Sequence, residues 1–206
     1  MGKIALLCID MQYFDAARGY GVFKDMQHCP ISQQEADYYF NQLENIVLPN
    51  VQSIQAMFRQ QGLEVIHIRI QSMTQDGRDR NLWHKKLGLH CAPGSKEAEF
   101  LPEVAPVGDE IVINKFSSGA FYTSNLNAVL RNLLITDLMV VGVYTHECVE
   151  SVVRGAADRG YETTLVEDGC AATSDVLQKE TVNSLKGRYC NVISTSQVHR
   201  FLQNRN

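Results

Sequence analysis

Leu138-Met139-Val140-Val141-Gly142-Val143 runs without a charge and opens directly onto Tyr144-Thr145-His146-Glu147-Cys148. A segment this short and apolar on both faces reads as a strand covered on each side by helices, as the strands of a parallel sheet are. Similar runs recur at Lys3 to Ile9, Glu64 to Ile70, Glu110 to Ile113, Glu162 to Val166 and Asn191 to Ser194, so the spacing predicts six strands. Between them, helical periodicity covers Gln34 to Gln61, Leu126 to Leu133, Glu147 to Arg159 and Val176 to Gly187. Pro49 is expected to split the first of these into two helices. The alternation describes one α/β domain over residues 1–206, a Rossmann-like three-layer α/β/α arrangement around a six-stranded, mainly parallel sheet.

A chain of 206 residues can bury a sizeable core without disulfides or a metal staple. Its hydrophobic share of 45% and charged share of 20% are those of an ordinary globular protein, with no run that would span a bilayer. A formal net charge of -4 and no block of lysines or arginines argue against nucleic acid or an anionic membrane as partner. Met1-Gly2-Lys3 leads into an apolar stretch too short for a signal peptide, so a cytoplasmic location is expected. Cys8, Cys29, Cys91, Cys148, Cys170 and Cys190 form no CxxC pair and are read as reduced thiols.

Two stretches break the rhythm, Tyr13 to Ser32 and Gln71 to Pro106, the second holding the only tryptophan, Trp83. Both leave the carboxyl ends of expected strands, where ligands bind in open α/β sheets, and long loops in a compact domain are usually functional. They are candidates for the walls and lid of a pocket.

Three reactive side chains stand at such strand ends. Asp10 follows Leu6-Leu7-Cys8-Ile9, Lys115 follows Ile111-Val112-Ile113-Asn114, and Cys148 begins a helix after the most apolar strand, with Thr145 as its N-cap. A thiol in a first helical turn is expected to have a lowered pKa from the free N–H groups and the macrodipole. Singly, each has an ordinary explanation: a turn-capping aspartate, a solvated lysine, a small buried hydrophobe. Jointly, they are an acid, a base and a nucleophile at one end of a parallel sheet. If the first and fourth strands are neighbours, Asp10 and Cys148 share a crevice. The strand of Lys115 would then lie two places from the first, roughly 10 Å away, so its long side chain must reach back.

These residues resemble the isochorismatase-like cysteine hydrolases, a family that includes nicotinamidases, N-carbamoylsarcosine amidohydrolase, and ureidoacrylate and biuret amidohydrolases. The resemblance rests on Leu7-Cys8-Ile9-Asp10-Met11-Gln12, on Asn114-Lys115-Phe116-Ser117-Ser118-Gly119-Ala120-Phe121, and on Val141 to Val152 with Cys148 at its centre. Glu167-Asp168-Gly169-Cys170-Ala171-Ala172 looks like the family's turn after the fifth strand. The resemblance implies a catalytic triad in which Cys148 attacks a carbonyl, Asp10 moves the proton and Lys115 balances charge, through a thioester. It also implies a cis peptide at Val143-Tyr144 and an oxyanion hole from the N–H groups of Tyr144 and Cys148, and it suggests a homodimer or homotetramer.

Departures narrow the expectation to a small amide or ureido substrate with no cofactor. The Asp-x-His pair of zinc-binding nicotinamidases is missing, since the second strand ends His67-Ile68-Arg69-Ile70-Gln71. His84, His90 and Cys91 lack an acidic ligand and have Lys85 and Lys86 beside them, so no metal is expected. Retention of Cys148 argues against an isochorismatase proper, which is kept as the alternative, together with a catalytically silent binding member of the same fold. A dinucleotide module fails for want of a glycine-rich turn after the first strand. Gln12, Phe14, Trp83 and Tyr122 are expected to contact substrate. Arg69, Arg78, Arg80 and Lys85 are the cations that could meet a substrate carboxylate.

Overall fold

In a computed structural model describing residues 2–205, β1 (Lys3–Ile9) lies inside the sheet, and its alternating side chains sort the rest of the chain into two faces. Parallel to it run β2 (Glu64–Ile70), β3 (Ile111–Lys115), β4 (Ile135–Val143), β5 (Glu162–Ala171) and β6 (Asn191–Ile193), in the order β3-β2-β1-β4-β5-β6. The helical elements are α1 (Tyr13–Ala16), α2 (Gln33–Gln42), α3 (Leu48–Gln60), α4 (Leu82–Lys86), α5 (Ala120–Thr123), α6 (Leu126–Asn132), α7 (Glu150–Ala157), α8 (Asp175–Leu185) and α9 (Thr195–Gln203). Ala5, Leu7 and Ile9 face the core shared with α6, α7 and α8, whereas Ile4, Leu6 and Cys8 face α2, α3 and α9. The six-stranded α/β/α architecture expected from the sequence is therefore present. Among the described residues no helix is long and apolar enough to cross a membrane.

Pro49 does not split its helix. It sits in the first turn of α3, where its missing N–H is not needed, and the wide turn Leu43–Val47 before it carries the Leu48 N–H to the Leu43 carbonyl. The helical run from α2 into α3 therefore continues. The stretch Glu167 to Ala171 is likewise not a turn but the end of β5, which rejoins β4 after a register shift between Val140 and Gly142. α9 was not foreseen, although Ser194 and Gln197 form the reciprocal cap that announces it.

β1 and β4 approach each other closely at Gly142. Gly142 pairs with Ile9 at φ 123°, and a Cβ there would collide with the Ile9 carbonyl oxygen and nitrogen. Just beyond, Asp10 turns out of the strand at φ 51°, a left-handed conformation that aspartate tolerates, and its N–H donates to the Ile68 carbonyl at 2.8 Å. Gly142→Ala is expected to lower unfolding free energy by about 3 kcal/mol or more, read from the urea midpoint. A loss below about 1 kcal/mol would mean that β1 and β4 can move apart freely.

Candidate active site

Lys115 closes β3 and is fully buried, so its ammonium must find its partners inside the protein. Its side chain passes the end of β2 to reach Asp10, placing Nζ 2.8 Å from Oδ2 of a carboxylate that is itself fully buried. The ion pair is the main opposition to the burial of Asp10, with Lys115 and Cys148 both close enough to the carboxylate to stabilise its charge. The same Nζ donates to Cys148 Sγ at 3.3 Å. The three residues picked out in the sequence thus meet through one ammonium group.

Burial pushes the Asp10 carboxyl up and the Lys115 charge opposes that rise. For Lys115, burial works against the charged form, but Asp10 and Cys148 outweigh it and hold the ammonium above its usual range. The Cys148 thiol goes up, chiefly by burial, with Lys115 pulling it down and Asp10 and Asp15 pushing it further up. The thiol is therefore neutral at pH 7, against the expectation of a lowered value. A helix-terminus effect of about 1 kcal/mol cannot offset full burial beside two carboxyls. Nor does Thr145 cap the helix: Tyr144 holds the cap position without a side-chain bond, and Thr145 Oγ1 is buried and unpartnered. The peptide between Val143 and Tyr144 is cis.

Cys148 opens onto a cavity of about 560 Å³. The stretch after β1 contributes Phe14, Asp15, Val22, Pro30 and Ile31; the stretch after β2 contributes Asn81, Trp83, His84, Leu87 and Leu89. Both long loops therefore wall the site. Asn81 Nδ2 donates to Ser117 Oγ at 3.2 Å, tying the second loop to the turn after β3. His84 packs edge-on to Phe14, and burial, aided by the charges of Lys115 and Arg80, drops its pKa to about 4, leaving a neutral imidazole. A second recess of about 400 Å³ beside Asp168 includes none of Asp10, Lys115 and Cys148.

Of the four expected substrate contacts, Phe14 and Trp83 line the cavity. Gln12 does not. It is fully buried, accepting from the Ile70 N–H at 2.6 Å and donating to the Ile70 and Glu97 carbonyls at 3.0 and 2.9 Å, so its amide staples β2 and the second loop to β1. Tyr122 is 91% exposed, because the single turn of α5 points Ala120, Phe121 and Thr123 inward and leaves position 122 outside.

The proposed cations are also elsewhere. Arg69 bonds Asn114 and the Ala98 carbonyl, Arg78 pairs with Asp76, Arg80 donates to the Gly77 and Leu89 carbonyls, and Lys85 donates to the Arg78 carbonyl. His84, His90 and Cys91 do not converge: His84 faces the cavity, while Cys91 Sγ donates to the Ile70 carbonyl at 3.0 Å. Among the described residues no group of three His, Cys, Asp or Glu side chains is placed to hold a metal.

Asp15 joins the site from the first loop, beyond the residues expected there. Its carbonyl accepts from both Tyr39 and Tyr144, at 2.9 and 3.0 Å, while its carboxyl lies against the cavity, pushed well up by burial and by Asp10. The signal was available, since a second carboxylate five residues beyond a strand-ending Asp10 falls in the same wall-forming loop.

The Isochorismatase domain family matches residues 4–197 of the chain. N-carbamoylsarcosine amidase of Arthrobacter is 26% identical over 161 residues, covering 76% of this chain and 61% of that enzyme. Ureidoacrylate amidohydrolase of Acinetobacter baylyi is 25% identical over 184 residues, covering 82% of this chain and 70% of that enzyme. In three dimensions, an isochorismatase family protein from Desulfovibrio vulgaris shares the fold with a TM-score of 0.79 at 20% identity, over 98% of this chain and 100% of the other.

Proposed function

The chain belongs to the isochorismatase family of hydrolases, and we propose that it is a cysteine-dependent amidohydrolase that cleaves a carbon–nitrogen bond of a small amide or ureido compound. One observation carries this reading: Lys115 Nζ stands 2.8 Å from Asp10 Oδ2 and 3.3 Å from Cys148 Sγ, all three residues buried, with the thiol at the wall of a cavity lined by apolar side chains and a few polar groups. The amidase relatives support it. An isochorismatase reaction has no need of a thiol.

In this mechanism the neutral thiol cannot attack until its proton leaves, and Asp10 is the base that takes it. Lys115 keeps Asp10 ionised despite burial and neutralises the charge that moves onto sulfur. Sγ forms a bond to the substrate carbonyl carbon, and the oxyanion is received by the backbone N–H groups of Tyr144 and Cys148. The carbon–nitrogen bond then breaks as Asp10 returns its proton to the departing nitrogen, leaving a thioester. Water gives its proton to Asp10 and attacks that thioester, the sulfur departs and recovers the proton, and the acid is released.

Cys148→Ala is expected to keep the native circular dichroism and melting transition while ammonia release across a panel of primary amides and ureido compounds falls by about 10⁴-fold or more. Release persisting in Cys148→Ala would end the cysteine mechanism. Silence of the native protein across the panel would favour a binding member of the fold.

Acid should switch the enzyme off at a pH above the ordinary carboxylate range, because the group that must be ionised is Asp10 and burial raises its proton affinity. Lys115 opposes that rise, so Lys115→Met should move the acid limb of kcat/KM to still higher pH and lower the plateau by about 10²-fold. A limb that stays in place, or moves to lower pH, would show that Asp10 is not the titrating base.

A further inference from the structure

Most polar groups in the wall of the active-site cavity are already occupied or uncharged. Asn81 Nδ2 donates to Ser117 Oγ and Asn81 Oδ1 accepts from the His84 N–H, so these side chains are spent holding the second loop in place. His84 packs edge-on to Phe14 and is neutral. Burial holds the Asp15 carboxyl well above the ordinary carboxylate range, and Glu147 is more than half exposed. No lysine or arginine lines the cavity among the described residues. What remains of the two loops is apolar: Phe14, Val22 and Ile31 in the first, Trp83, Leu87 and Leu89 in the second.

That apolar wall is only partly covered. No residue of α4 is buried, and Trp83 and Leu87, 66% and 48% exposed, line the cavity while much of their surface stays in water. Large apolar side chains around a recess are the surface that the apolar part of a ligand covers. The cavity, at about 560 Å³, has roughly the liquid volume of nineteen water molecules, far more than an amide the size of acetamide fills. In a two-step reaction the acyl part stays on sulfur while the nitrogen leaves, so contacts with the acyl part serve both steps. Resting on the amidohydrolase reading, we propose that the substrate is an amide with an extended apolar acyl group, received by the two loops and selected by Trp83 and Leu87, and not a short polar amide.

Trp83 is the only tryptophan, so its fluorescence reports a ligand at the wall directly. Propanamide, butanamide, pentanamide and hexanamide, with biuret as a short polar comparison, are titrated into Cys148→Ala while the Trp83 emission is followed. Each added methylene should tighten binding by about three- to fourfold, so hexanamide should bind at least about 20-fold more tightly than propanamide and shift the Trp83 emission to shorter wavelength. Adding Leu87→Asn should lower that ratio at least about threefold. Ammonia release by the native protein should show kcat/KM climbing in the same order. Affinity that is flat or falls along the series, tighter binding of biuret than of hexanamide, absence of binding by every alkanamide, or a ratio unmoved by Leu87→Asn would overturn the proposal. Hydrolysis of the alkanamides by the native protein without a chain-length preference would sink this inference and spare the amidohydrolase reading; the chain-length order in binding, without hydrolysis of any amide by the native protein, would end that reading and leave the apolar selectivity of the cavity standing.

Discussion

A lysine and an aspartate with no exposure to water, 2.8 Å apart, are the constraint around which this fold is organised. Removing each ion from water costs several kcal/mol, and mutual attraction compensates only when the geometry is held. Holding it requires β1, β2 and β3 in register, so that the end of β3 faces the end of β1 across β2. It also requires β4 close enough to β1 to bring Cys148 to the same ammonium, which is the office of Gly142. The apolar strands supply the stability for this: Leu6, Leu7, Ile9, Leu138 and Val140 are fully buried, at roughly 1.5–3 kcal/mol for each side chain.

The pair also decides the protonation pattern. One cation serves an acid and a thiol, and the thiol rests neutral because burial and the carboxyls of Asp10 and Asp15 outweigh Lys115. On the proposed mechanism, such a site moves a proton during reaction instead of storing a thiolate.

Much of this was legible in the sequence, and what was not has physical causes. β1 and β2 were bounded to the residue because runs such as Ile4 to Ile9 end at charged or polar groups, and the reach of Lys115 followed from strand order and side-chain length. Pro49 misled because a helix that widens by one turn before a proline leaves no trace in apolar periodicity. Gln12, two residues past Asp10, and Tyr122, just past the Lys115 motif, do not line the cavity because position along the chain does not say which way a side chain turns. The left-handed backbone at Asp10 and the inward turn of α5 decide that, and both are tertiary facts. The Cys148 thiol departs from the local helix-terminus expectation for a similar reason, since that argument omits the full burial of the side chain and, after it, the carboxyls of Asp10 and Asp15.

In the proposed mechanism the thiol of Cys148 carries the acyl group during turnover. The most direct measurement is acid-quenched intact mass spectrometry of the native protein within its first turnover of a hydrolysed amide, with peptide mapping of the adduct. A mass increase equal to the acyl fragment is expected, located on Cys148 and absent from Cys148→Ala. Hydrolysis without any covalent species, or an adduct on another residue, would contradict it.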